Sequence, residues 1–415
     1  MWNVRSFLGF VNKGRSGGND FMDRIKYYDC INKTVQEDVD KCLEIANYIS
    51  NHPEVSGEEE IACSCITEFL REYGYEIIAP YVDVPYSFLA VNKRRTDEKL
   101  PKIALLCEYD ALPEVGHACG HSVSGLISVL AALTLEKAFS DFPMQIDIVG
   151  TPGEELECGK VLIADNGGFE GYEFAAMAHL FSTNIPFFKV RAVGDMEVTF
   201  RGKSAHASAE PWEGRNALNA VQLFFHALDM MRQHITPDCQ MHGVITNGGV
   251  LPSIVPEEAS CYFYPRADSM KNLNKLYNRM IKCAEGAAIA TETTCEIRSL
   301  YPKTSDLYCT PTGKLMMQRV FDTLELPYPK KEVSLGSTDA GNVDLLIPTF
   351  HPGVAIGDSA DVKLHSKEFA DLVKSDAAKE ALVNGARVVA GLCAELAYTE
   401  GLLDAIKEEH KEYRG

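Results

Sequence analysis

KIALLCEYDALPEVGHACGHSVSGLISVLAALTLEKAF (Lys102–Phe139) decides how this chain folds. It opens with a short apolar run, KIALLCEY (Lys102–Tyr109), of the kind shown by a strand buried on both faces. It closes with VSGLISVLAALTLEKAF (Val123–Phe139), which reads as a helix. Between them, EYDALPEVGHACGH (Glu108–His121) sets three acids, two histidines and a cysteine around one proline and two glycines. In open α/β sheets, sites gather at the carboxyl ends of the strands, which is where this loop falls.

The alternation continues on either side. Upstream, Val39–Tyr75 is helical, with a break at His52–Pro53 and a capping box of Ser56 and Glu59 opening the second helix. Downstream, QIDIVGTP (Gln145–Pro152) and EFAAMAHL (Glu173–Leu180) read as further strands. Strands separated by helices imply a mixed, largely parallel sheet covered by helices. Near Ala192 the character changes. MEVTFRG (Met196–Gly202) alternates apolar and polar residues, Arg215–His234 is an amphipathic helix, and two strands, a helix and a last strand follow. This β-α-β-β-α-β order over about 110 residues is that of a ferredoxin-like α+β unit, inserted into the α/β domain. The chain then returns to α/β, with a helix after Pro311, VDLLIPTF, GVAIG and one long closing helix from Ala377 to about Glu409. The division expected is a flexible tail over 1–22, an α/β domain formed by 23–191 and 304–415, and the insert over 192–303.

Bulk composition narrows the function classes. The 415 residues carry 40 basic and 59 acidic side chains, a net charge of −19 that repels phosphate backbones and argues against a nucleic-acid partner. The 13 cysteines are odd in number and scattered, several in apolar runs, as free thiols of a reducing compartment are; the expected location is cytoplasmic. No apolar run reaches the ~18 residues of a membrane span, and no membrane partner is expected. The first twenty residues lack the pattern of a signal peptide.

Several residues could carry chemistry. His117, Cys119 and His121 alternate along the loop, and thiolate with imidazole is a normal donor pair for zinc-like ions. The plain alternative is a loop of solvated histidines and one buried thiol. Asp110 follows the same strand and could orient a ligand histidine or serve as a turn aspartate. In GTPGEELECGK, Glu154 and Glu155 follow the strand ending at Val149; one carboxylate could bind metal while the other faces water as a general base. His179 ends an apolar run and becomes a third strand-end polar group. His365 and His351 compete as the late histidine, and spacing does not choose between them. His206 sits in a small-residue loop of the insert, where it could reach a substrate oxygen or simply face solvent.

With these residues in view, the chain resembles the amidohydrolase branch of the aminoacylase/glutamate-carboxypeptidase metallopeptidases. The resemblance runs from about Val39 to Leu392 and is carried by CEYDALPEVGHACGH, TPGEE, AMAH, GKSAHASAEPWEGRNALNA, GGVLPSIVPEEASCYFYPRAD, GSTDAGNVD and LHS, in that order. It is similar above all to the aminobenzoyl-glutamate hydrolase and β-alanyl-lysine-type dipeptidase subgroup. The resemblance implies that the insert is a lid and dimerization domain, that the subunit forms a homodimer through it, and that two divalent ions, zinc or manganese, are held by Cys119, His121, Glu155, His179 and His365. Cys119 would bridge the ions. Glu154 would be the general base and His206 the lid histidine that stabilises the oxyanion, in some members across the dimer. Asp110 would stand behind the ligands, and Glu108, Glu114 and His117 would take no part. Ser253, where the family commonly has Asn, and Arg266 are substrate-carboxylate candidates. Ser is shorter and donates one hydrogen bond where Asn donates two. Ser122 stands where Asp or Asn is usual.

The resemblance thus implies metal-dependent hydrolysis of an amide bond in a small N-acyl amino acid or dipeptide. Two other classes are compatible with the residues: a thiol hydrolase using Cys119 as nucleophile, and a non-catalytic relative acting as a binding subunit.

Overall fold

The computed structural model describes residues 19–93, 100–331, 333–334, 336–358 and 360–415. Most of the expected tail, residues 1–18, lies outside the described residues, and 19–22 open the first helix. Three helices come first: α1 (Asn19–Thr34), α2 (Val39–Asn51) and α3 (Glu60–Glu72). Then follow β1 (Tyr75–Ile78), β2 (Phe88–Asn92), β3 (Lys102–Cys107), α4 (His121–Ala138), β4 (Gln145–Gly150), α5 (Gly159–Asp165), β5 (Tyr172–Ala176), β6 (His179–Phe181) and β7 (Phe188–Lys189). The insert supplies β8 (Ala192–Val193), β9 (Met196–Arg201), α6 (Ala217–Met231), β10 (Gln240–Asn247), β11 (Glu258–Ala267), α7 (Met270–Ala290) and β12 (Thr294–Arg298). The return leg is α8 (Pro311–Thr323), β13 (Val333–Ser334), α9 (Ala340–Asp344), β14 (Thr349–Phe350), β15 (Gly353–Ala355), α10 (Lys367–Val373), α11 (Ala377–Tyr398) and α12 (Leu402–Arg414).

The main sheet has the order β1-β2-β4-β3-β5-β14. The pairings β4/β3, β3/β5 and β5/β14 are parallel, while β1/β2 and β2/β4 are antiparallel. The sheet is mixed and parallel at its centre, as the uninterrupted apolar runs of β3 and β4 require. Helix α4 lies against β3 through a residue without a side chain: a Cβ on Gly125 would meet the carbonyl oxygen of Glu108 at 2.1 Å. That close approach brings the start of α4, with His121, against the end of β3, with Glu108 and Asp110. Gly120 caps α4 at φ 89°, a left-handed conformation that glycine adopts at little cost.

The insert forms its own antiparallel sheet, order β10-β11-β9-β12, with α6 and α7 packed on it over a separate apolar core of Met196, Phe200, Phe224, Phe263 and Met280 among others. Numbered within the insert, the strands run 2-3-1-4, the ferredoxin-like arrangement.

Two local expectations fail. Ser56 and Glu59 do not cap α3; the Glu54 carboxylate takes the N–H groups of Ile61 and Ala62 there, both at 2.9 Å. Ser56 Oγ donates instead to Asp110 Oδ2 (2.8 Å), and Glu59 Oε1 accepts the backbone N–H of Gly153 (2.7 Å). The closing helix is two helices, broken where Gly401 turns left-handed at φ 72°. Of the described helices, α11 is long and apolar enough to cross a bilayer, but most of it is buried in the main core, the composition of an inner helix.

Candidate metal centre

The loops after β3 and β4, the start of β6 and the segment before α10 converge at the carboxyl edge of the main sheet. Donor atoms of Cys119, His121 and His179 lie within 4.8 Å of one another, and so do those of Cys119, Glu155 and His365. Cys119 is common to both groups. Its Sγ is 3.4 Å from His179 Nε2, and His365 Nε2 is 3.6 Å from Glu155 Oε1. His351, the competing late histidine, is buried with its ring 5.8 Å from that of His179, but it joins neither donor group.

His121 and His179 are each aimed by the far nitrogen. His121 Nδ1–H donates to Asp110 Oδ1 at 2.8 Å, and His179 Nδ1–H to the carbonyl of Leu180 at 2.6 Å. Both rings therefore turn Nε2, with its lone pair, into the cluster, the arrangement that orients ligand histidines. Asp110 also accepts the backbone N–H of Glu155 (3.0 Å), so one carboxylate fixes both a histidine and the acidic loop. Burial opposes its ionisation, but His121 and these hydrogen bonds hold it well below the usual carboxylate range. His121 Nε2 and Glu155 Oε1 are buried with no hydrogen-bond partner among the described residues. Such atoms are costly to leave unsatisfied. Soft sulfur, imidazole nitrogen and carboxylate oxygen at this spacing fit a pair of divalent ions.

Glu154 stands beside this cluster, its Oε2 4.0 Å from His121 Nε2. Burial, then the negative charges of Glu108 and Asp339, push its carboxyl well above the ordinary value. It lines a cleft of about 200 Å³ between the two domains, together with Glu155, Gly194, Tyr264, Tyr301 and Ser337. Arg266 reaches this edge, donating to Ser337 Oγ at 3.1 Å. His206 and Ser253 do not line the cleft. His206 lies exposed on the insert, its Nδ1 accepting N–H groups of Ser208 and Ala209, and Ser253 lies beside it, its carbonyl accepting the N–H of Ala207.

Glu108, expected to take no part in the chemistry, lies close to the centre: it is fully buried, 2.6 Å from the ammonium of Lys160 and 3.6 Å from His121 Nε2. Lys160 and Asp339, which complete this group, lie in the stretches GTPGEELECGK and GSTDAGNVD, but neither is a site residue expected from the sequence. They are 179 positions apart, and only the lysine standing at the head of the apolar KVLIA gives a local sign.

Thiolate, imidazole and carboxylate donors beside a buried carboxylate are the equipment of enzymes that activate water on divalent ions; the fold and the site define a metal-dependent hydrolase. The family model described as the peptidase dimerisation domain matches residues 189–292. The Xaa-Arg dipeptidase of Mus musculus is 32% identical over 406 residues, 92% of this chain and 93% of that protein. A p-aminobenzoyl-glutamate hydrolase subunit of Escherichia coli (strain K12) is 26% identical, covering 93% of this chain and 95% of that protein. Among solved structures, a putative aminohydrolase from methicillin-resistant Staphylococcus aureus superposes with a TM-score of 0.70 at 18% identity, over 91% of this chain and all of that one. A dinuclear metal-binding M20 peptidase from Bacillus subtilis superposes with a TM-score of 0.67 at 18% identity, over 87% and 99%. The chain belongs to the amidohydrolase branch of the M20 metallopeptidases. It is a hydrolase of amide bonds.

Proposed function

We propose that this enzyme is a dipeptidase or N-acyl amino acid hydrolase, with Glu154 as general base. The observation that carries the reading is the gathering of five donor residues beside Glu154, which with the donor Glu155 lines a cleft of about 200 Å³, a volume suited to a dipeptide and not to a folded chain. The dipeptide reading comes first because the mouse dipeptidase is more similar to this chain than the aminobenzoyl-glutamate hydrolase subunit is.

Cys119, His121, Glu155, His179 and His365 would hold two ions, zinc or manganese, with Cys119 shared. When bound, such a pair supplies Lewis acidity and lowers the pKa of water toward ~7. Glu154 takes the proton of the attacking water and passes it to the leaving amine. Its buried setting favours the protonated form that the second transfer needs. Arg266, held at the cleft edge by Ser337, is placed to receive a substrate carboxylate.

His206 completes the reading if a second copy supplies it. β10 is an edge strand, and Val244, Ile245, Val250 and Leu251 on and beside it are exposed. An exposed apolar edge favours pairing with another chain, so a homodimer through the insert is the assembly proposed, with His206 reaching the partner's cleft to stabilise the oxyanion. The thiol-hydrolase reading is disfavoured because the Cys119 sulfur is common to both donor groups and is therefore engaged as a ligand when ions are bound.

A panel of dipeptides and N-acyl amino acids, assayed on protein loaded with zinc, manganese or cobalt, tests the proposal. Metal-dependent release of free amino acid is the expected result. A protein loaded with two ions per subunit that cleaves none of the panel overturns it.

A further inference from the structure

Behind Glu154 lies a set of charges that this mechanism does not use. Lys160 is fully buried. Its ammonium is 2.6 Å from Glu108 Oε1 and 2.6 Å from Asp339 Oδ1. Asp339 Oδ2 also accepts the backbone N–H of Lys160 at 3.0 Å, so one carboxylate grips this residue by main chain and side chain together. Oxygens of Glu108, Glu154 and Asp339 lie within 4.8 Å of one another. The general base is thus the third carboxylate around a single ammonium.

Stability of the fold is a poor reason for this arrangement. Taking an ammonium and its carboxylates out of water is unfavourable, and apolar side chains of the same volume serve a core as well or better. The location offers a better one. The segment Gly153–Lys160 carries Glu154 and Glu155 and is staked at three points by buried carboxylates from three other parts of the chain. Glu59 takes the N–H of Gly153, Asp110 takes that of Glu155, and Asp339 takes that of Lys160. The last stake differs from the others. Asp339 belongs to a stretch whose Ser337 and Thr338 line the cleft, and Ser337 is bonded to Arg266 of the insert. A continuous set of contacts therefore runs from the lid, through Ser337–Asp339 and Lys160, to Glu108 beside His121.

We propose that Lys160 is a positioning residue: tied between Glu108 and Asp339, it fixes the base-bearing loop against the cleft-lining segment, so that Glu154 is held at reacting distance once substrate is bound. The proposal rests on the assignment of Glu154 as the base. Misplacing a catalytic group by about 1 Å costs roughly a hundredfold in rate, and that loss belongs in kcat, since Lys160 touches neither the donor residues nor the cleft.

The test uses the full-length protein loaded with metal. Lys160→Ala lowers kcat by about a hundredfold with KM and bound metal close to wild type, and added n-propylamine, which restores the missing ammonium and its stem, recovers activity where n-propanol does not. In the same protein without substrate, amides of residues 153–160 exchange hydrogen faster than in wild type, and propylamine slows them again. Asp339→Asn, which keeps the shape and an acceptor oxygen, gives the same kcat loss and covers the case in which Lys160→Ala does not fold. A kcat for either variant within about twofold of wild type overturns the proposal, since loss of a true positioning contact is larger. So does a loss confined to KM, a loss that tracks missing metal, or unchanged amide exchange. Glu154→Gln separates the two layers: if it stays active, the base assignment fails, whereas an inactive Glu154→Gln beside an active Lys160→Ala sinks only the positioning role. In the Glu154→Gln background, Lys160→Ala adds little further loss, as coupled residues do.

Discussion

Asp110→Asn is the sharpest probe of how the candidate metal centre is held. Asp110 is fully buried and accepts from three donors: His121 Nδ1–H at Oδ1, and Ser56 Oγ–H and the Glu155 N–H at Oδ2. Asparagine offers one oxygen in place of two. If that oxygen faces His121, the new NH2 group meets the N–H of Glu155. If it faces Glu155, the NH2 meets His121 Nδ1–H, and relief comes only by moving the ring proton to Nε2, the atom turned into the donor cluster. Either way at least one charge-assisted bond is lost, worth roughly 1.5–3 kcal/mol. At about 1.4 kcal/mol per tenfold, metal affinity should fall by about ten- to a hundredfold, the range seen when groups behind a ligand are altered. Competition against a chromophoric chelator measures this directly, with circular dichroism and thermal melting to confirm that the variant folds. A folded Asp110→Asn protein that binds zinc within about twofold of wild type would refute the view that this carboxylate sets ligand geometry.

Other outcomes follow from the same geometry. Glu154→Gln should lose about 10²–10⁴-fold in kcat while elemental analysis still finds its metal; lost metal would mean that Glu154 is a ligand. Cys119→Ser should lower the metal content of both sites at once, because the thiol is common to the two donor groups; loss of one ion alone contradicts a shared ligand. Burial, with the Asp110 charge, raises the carboxyl of Glu59 to about 7 from an ordinary 4.5, so the folded state binds that proton more tightly than the unfolded state. The resulting cost to stability is absent below about pH 4.5, grows with pH, and levels off above about 7, where it reaches roughly 3 kcal/mol. Glu59→Gln keeps an acceptor for Gly153 N–H and lacks this titration, so its melting temperature should gain on wild type as pH rises across that window; a constant difference between the two would be contrary. Gly125→Ala should fail to fold or melt far lower, since its methyl group would overlap the Glu108 carbonyl at 2.1 Å.

The layers are readable in the sequence and the charges behind them are not, for a physical reason. Buried parallel strands such as β3 and β4 show as uninterrupted apolar runs, and the insert shows period-two strands beside period-3.6 helices, so the order of elements can be followed by eye. The donor residues stand in ordered motifs, each at a strand end or loop. Ser56 and Glu59 mislead because a capping box and a pair of long-range hydrogen-bond partners use the same letters; which one forms depends on Asp110 and Gly153, 54 and 94 positions away. The surroundings of Glu108 are hidden for the same reason. Its partner Lys160 lies one strand and one helix further on, and only the apolar run it heads hints at a lysine that ends with no exposure at all. The broken closing helix is readable in principle, since Gly401 is the residue type that ends helices in a left-handed turn.

The last turn of α12 reaches further than its place at the edge suggests. Arg414 donates to Asp306 Oδ2 at 2.9 Å and to the carbonyls of Asp306 and Asp344, and His410 Nε2–H donates to the same Asp344 carbonyl. Asp344 ends α9, whose first turn begins beside Asp339. The helix that comes late in the chain thus fastens the segment on which the base-bearing loop is staked. A change at Arg414 would therefore be felt at the base-bearing loop through Asp344 and Asp339, with no residue of the cleft altered.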